Sequence, residues 1–221
     1  MAFTFWRLAL QTFPQFLEDL EAALRKPLPG LAAQSLLAPR PRPQWPAGFS
    51  PASIRHAAGL LLLVPIDDRP HIILTVRAGT LGRHGGQVSL PGGVIEAGET
   101  LPQAALREAH EEIALAPGRV RVLGPLTPID IPVSGFRLHP LVAGALERPP
   151  LRPADDEVAR IVEVPVEELL DPARLASQER LRDGRALTVP FFRVAGEEIW
   201  GATAMVLAEF LTLLGWCGPV T

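Results

Sequence analysis

The 221-residue chain has one cysteine, Cys217, so it can form no disulfide within itself, which fits a reducing compartment. Cys217 reads as a core residue. The chain also has no excess of positive charge: 21 Lys and Arg against 24 Asp and Glu give a net −3. That excludes the broad basic surface of a non-specific nucleic-acid binder, and a highly anionic ligand would need local arginines and a metal. Long apolar runs are missing too. Residues 59–66 are too few to span a bilayer, while the stretch 204–220 is interrupted by Glu209 and runs into Gly218-Pro219. The first residues lack a basic start, an unbroken apolar stretch and a small-residue cleavage site, so no export signal and a cytoplasmic location are expected. With 48% hydrophobic residues, the chain has ample material for a buried core.

Two regions differ in texture. In the first, residues 1–52, Thr12-Phe13-Pro14-Gln15 has the form of a capping box with an early proline. Phe13, Leu17, Leu20 and Leu24 then recur at helical spacing. An amphipathic helix docked on the core is predicted there. Its polar face carries Glu18, Asp19 and Glu21, which argues against an anionic membrane surface. Prolines at 27, 29, 39, 41, 43, 46 and 51 predict an extended connector.

Residues 53–221 read as the second region. Strands are predicted over 55–66 and 71–77, joined by the turn-forming residues Asp67-Asp68-Arg69-Pro70. Further strands are expected over 119–126, 137–146, 157–164, 188–194 and 197–200, with a short turn at 166–170 and a last helix over 202–216. Strands outnumber helices and connections are short, so the fold class is α+β, a mixed β-sheet with helices packed on its faces.

Residues 101–115, LPQAALREAHEEIAL, form the most informative segment. Thr100-Leu101-Pro102-Gln103 is a second capping box, and Glu108, Glu111 and Glu112 follow at i, i+3 and i+4. Three carboxylates on one helix face repel one another, by about 1 kcal/mol per close pair at surface dielectric. A bound divalent cation would compensate. A solvated acidic face explains the same residues taken alone. Arg107, one turn from Glu111, can also reach back to Glu99 and orient a carboxylate.

The whole pattern favours the cation. Gly93, five residues, Glu99, seven residues, Arg107-Glu108, Ala109, His110, Glu111-Glu112, Ile113, Ala114, Leu115 closely resembles the Nudix box, G-x5-E-x7-R-E-U-x-E-E-x-G-U with U apolar. Ala114 stands where that family has glycine, at a position that ends the helix with positive φ. The resemblance implies a Nudix fold, a mixed sheet sandwiched between helices. It also implies hydrolysis of a diphosphate linked to another moiety, with water as nucleophile and Mg2+ or Mn2+ as cofactor. Oxygen-only donors suit such hard cations independently of any resemblance. By motif position Glu108 and Glu112 are the expected metal ligands, with Glu111 next, and a backbone carbonyl near Gly92 or Gly93 could complete the shell. Glu111 and Glu157 are the candidate general bases. Glu157 lies in Asp155-Asp156-Glu157, which reads equally well as an ordinary turn.

Upstream, Leu74-Thr75-Val76-Arg77-Ala78, Leu81, His84 and Gly86-Gln87-Val88-Ser89-Leu90-Pro91-Gly92-Gly93 resemble the extended signature of coenzyme A pyrophosphatases, with Leu90 in place of the commoner phenylalanine. The likeness continues in Pro132-Val133-Ser134-Gly135-Phe136 and in Ile199-Trp200-Gly201-Ala202-Thr203-Ala204, and covers residues 53 to 215. It implies cleavage of coenzyme A or acyl-coenzyme A. Alternatives are the same chemistry on ADP-ribose, dinucleoside polyphosphates or NAD(H), or a non-catalytic nucleotide sensor, although the sensor would be expected to have lost box acids. Arg77, Arg83 and His84 could meet the diphosphate or the 3′-phosphate. Surface solubility for Arg83 and a structural hydrogen bond for His84 are the plainer readings. Gln87 and Ser89 are expected to fix the loop, and Trp200 to be core rather than a stacking platform. The expected partner is a small molecule, with no nucleic acid and no membrane, and a homodimer stays open.

Overall fold

The computed structural model describes residues 11–79, 86–182 and 184–219. Among them, no helix is long and apolar enough to cross a membrane. Helix α1 (Phe13–Leu24) comes first, then a short helix α2 (Gly30–Gln34) that continues into a 3-10 turn (Ser35–Leu37). The domain beyond carries β1 (Arg55–Ile66), β2 (Arg69–Arg77), β3 (Val88–Ser89), β4 (Gly92–Val94), α3 (Leu101–Ile113), β5 (Arg121–Pro125), β6 (Ile129–Ile131) and β7 (Phe136–Gly144). It ends with β8 (Val158–Pro165), α4 (Val166–Leu170), β9 (Leu175–Arg182), β10 (Arg185–Val194), β11 (Glu197–Trp200) and α5 (Gly201–Leu213).

Strand β1 organises the fold. Its run Leu60-Leu61-Leu62-Leu63-Val64 is buried throughout, as expected for a strand covered on both faces. Because side chains alternate, Leu61 and Leu63 enter one core with α1 and α5, whereas Leu60, Leu62 and Val64 enter a second core with Ala104, Ala105, Ala109 and Ile113 of α3. In the larger sheet the order is β3-β2-β1-β7-β5, with β4 also paired to β1, β6 to β7 and β8 to β2. The β1–β7 pairing is parallel and the others are antiparallel, so the sheet is mixed. A second sheet, β11-β10-β9, is antiparallel.

Helix α1 is part of the core. Phe13, Phe16, Leu17, Leu20 and Leu24 are buried on one face, and Leu17 sits where a Cβ on Gly144 of β7 would lie. The β1–β2 turn is tighter than the four residues expected. Asp67 and Asp68 alone make it, both at positive φ (51° and 58°), and Ile66 pairs directly with Arg69. This is the left-handed geometry of a two-residue hairpin.

The connector departs from the extended chain its prolines predict. Residues 30–37 are helical, with Pro29 tolerated at the helix entrance and Ala33 and Leu37 buried. Apolar residues between the prolines have a core to reach, and burying them outweighs the local preference for extension. Strands β3, β4, β6 and β9 are not expected from the sequence either, and Cys217, expected in the core, is exposed. β9, LASQERLR, shows little apolar alternation, and its Leu181 is 81% exposed.

Candidate active site

The loop before α3 and the helix itself form one hydrogen-bonded unit. The Gln103 side chain accepts from the Thr100 N–H (2.8 Å) and hydroxyl (2.7 Å), which fixes the helix start. At the other end Ala114 adopts the left-handed conformation (φ 55°) despite its Cβ, with its N–H on His110 O (3.0 Å). The expected glycine geometry is therefore kept.

Between these ends Arg107 is the hub. Its Nε and Nη2 bind both oxygens of Glu99 (2.7 and 3.0 Å). Nη1 donates to Glu108 and to Glu111, each at 3.0 Å, and Nη2 also donates to Val94 O (3.0 Å). The Arg107 guanidinium, with help from the Glu96 N–H, holds Glu99 below the ordinary carboxylate range.

Behind the hub, Glu112 is only 5% exposed and accepts the Gly92 N–H (3.0 Å). Burial pushes its carboxyl up to about 7, against the partial relief of that hydrogen bond. Burial likewise raises Glu108, opposed by Arg107. Two glycines make this approach possible. A Cβ on Gly92 would strike Ala58 O and Gly59 Cα of β1, and a Cβ on Gly93 would occupy the space of the Glu108 carboxylate.

A cavity of about 760 Å3 opens over this unit. It is lined by Glu108, Glu111 and Glu112, by Gly92 and Gly93, and by Arg77, Gln87, Ser89, Asp155 and Glu157. Arg77 Nη2 binds Glu157 at 2.8 Å, so the candidate substrate arginine and the candidate base meet in one wall. Asp155 accepts from the Glu157 and Val158 N–H groups (3.0 and 3.2 Å), so the acidic triplet is a turn and also a cavity wall. Ser89 bonds Thr75 (3.1 Å between hydroxyls), which ties β3 to β2. Arg83 and His84 lie outside the described residues.

Two parts of the wall carry no signal in the sequence: Pro39, Arg42 and Pro43 come from the connector, and Ile129 to Ile131 from β6, whereas Pro132, Val133, Ser134 and Phe136 of the family-like segment also line it. Trp200 is also there, half-buried at the cavity rather than sealed in the core, with the Arg180 guanidinium 4.3 Å from its ring centre. Its signals in the sequence are an aromatic before a helix and its place in the family-like segment 199–204.

Among the described residues, no three acidic, histidine or cysteine side chains converge as a ready ligand set for a metal. Glu108 and Glu111 turn toward Arg107, and Glu112 toward Gly92. Their chemistry nonetheless fits a hard divalent cation. All are oxygen donors on one helix face at one cavity, and two of them are desolvated enough to favour a countercharge.

A mixed sheet with helices on both faces, and this carboxylate helix beside a Gly-Gly strand, define a Nudix-type protein. The NUDIX domain family model matches residues 55–183, and the chain belongs to that family. It is 36% identical over 157 residues to a Salmonella paratyphi B protein named "Uncharacterized Nudix hydrolase NudL", covering 70% of this chain and 81% of that one. Among solved structures it is similar to RenU, a Nudix hydrolase from M. smegmatis (28% identity, 52% of this chain and 73% of that one, TM-score 0.43). A MutT/nudix family protein from Enterococcus faecalis is also similar (16% identity, 78% and 66%, TM-score 0.49). The protein is a Nudix hydrolase, an enzyme acting on phosphorus anhydrides.

Proposed function

We propose that the enzyme hydrolyses the diphosphate of coenzyme A or acyl-coenzyme A, giving adenosine 3′,5′-bisphosphate and (acyl-)4′-phosphopantetheine. One observation carries this reading. The segment that resembles the coenzyme A pyrophosphatase signature delivers Arg77, Gln87, Ser89 and Leu90 to the same cavity as the carboxylates of α3.

Glu108, Glu111 and Glu112 would hold Mg2+ or Mn2+, which supplies charge neutralisation on the diphosphate and a more acidic water. Arg107 positions Glu108 and Glu111, and Glu99 positions Arg107. Arg77 meets the diphosphate from the facing wall and orients Glu157. Water attacks one phosphorus, the bridging oxygen leaves, and Glu157 or Glu111 takes the water's proton.

Incubation with coenzyme A and Mg2+ should release adenosine 3′,5′-bisphosphate, seen by chromatography. Coenzyme A left intact under conditions where ADP-ribose is cleaved rapidly would sink the reading.

A further inference from the structure

The cavity wall is short of positive charge. Seven acidic side chains line it, yet among the described residues Arg42 and Arg77 are its only cations. Arg77 is committed to Glu157 at 2.8 Å. Arg42 has no carboxylate at ion-pair distance among the described residues. It acts on Asp130 only through its field, and Asp130 already receives two hydrogen bonds from Arg137 (2.6 and 3.1 Å).

Arg42 is also held in place. Two residues before it, Arg40 exchanges both backbone hydrogen bonds with Thr188 of β10 (2.9 and 2.8 Å). Three residues after it, Trp45 stacks on Phe49, with ring centres 4.3 Å apart. Prolines 41 and 43 stiffen the stretch between these anchors. A segment that composition marks as a linker thus carries Arg42 to the cavity on an anchored stretch of backbone, on an element distinct from α3.

We propose that Arg42 is a specificity-determining residue, receiving a phosphomonoester on the nucleoside part of the substrate while the diphosphate lies at the α3 carboxylates. This rests on the coenzyme A reading, whose substrate carries one phosphate beyond the diphosphate. A near-dianionic phosphate suits a guanidinium fork, and the acidic wall elsewhere repels it.

The test compares kcat/KM for coenzyme A and for 3′-dephospho-coenzyme A, in the wild type and in Arg42→Gln. A ratio within one preparation does not depend on how much protein is folded. The wild type should prefer coenzyme A, and the preference should fall by about tenfold or more in the variant, as expected for loss of a charge-assisted hydrogen bond. Coenzyme A turnover with a ratio unmoved by Arg42→Gln overturns this proposal and leaves the reaction standing. Absence of coenzyme A turnover in the wild type overturns both.

Discussion

Thr127, just ahead of β6, gives its hydroxyl to the buried carboxylate of Glu209 in α5 at 2.6 Å, and its N–H also points there (3.2 and 3.3 Å). The same carboxylate accepts the Gly30 N–H (3.1 Å) and Gln34 Nε2 (2.9 Å). Glu209 therefore ties the connector, the last helix and the cavity-lining strand together. The residue that interrupts the apolar stretch 204–220 is a buried junction.

Glu209→Ala should lower unfolding free energy by roughly 3 kcal/mol, because it strands several buried donors at once. Urea denaturation of the two proteins measures this. A loss below about 0.5 kcal/mol would show that the junction carries no stability.

Glu112→Gln keeps an oxygen for the Gly92 N–H but loses the charge. With Glu112 as a metal ligand, kcat should fall at least about a thousandfold with thermal stability preserved. An unchanged rate refutes the metal role.

Arg107→Lys replaces a fork that serves three carboxylates with a single point charge. Turnover should drop about a hundredfold, chiefly in kcat, since the loss is of positioning rather than of substrate contact. Steady-state kinetics at saturating Mg2+ separates kcat from KM.

Ala114→Gly relieves the left-handed strain at the end of α3 and should stabilise the protein by about 0.5–1 kcal/mol after the entropy cost of glycine. Chemical denaturation reports it, and a destabilised variant would contradict the cap geometry.

His139 sits below its ordinary value of 6.5, first through burial and then through the neighbouring charges of His56 and Arg137. His56 Nδ1 lies 2.8 Å from its Nε2. The folded state thus binds a proton at this site less readily than the unfolded chain does. That stability is complete above 6.5 and is lost as pH falls through the folded value. The His139 share is read by difference: the melting temperature of the wild type relative to His139→Gln should fall as pH drops below 6.5, while Glu112, raised to about 7, acts in the opposite sense in both proteins.

Local periodicity made the reactive helix legible. The angular spacing of Glu108, Glu111 and Glu112 follows from helix geometry alone, and the Arg107–Glu99 pair spans only eight residues of loop and helix. The Phe13–Leu24 helix and the buried β1 run were legible for the same reason, since their apolar patterns are repeated within one element. Other features depend on partners far along the chain. Arg40 pairs with Thr188, Gln34 reaches Glu209 across 175 positions, and Leu175–Arg182 is a strand only because Arg185–Val194 lies beside it. No local pattern records such pairings, because packing energy between distant segments selects them. Chemistry was therefore readable from short-range spacing. The second wall of the cavity, with Arg42 and Trp200, exists only once β10, β6 and α5 have brought their segments together.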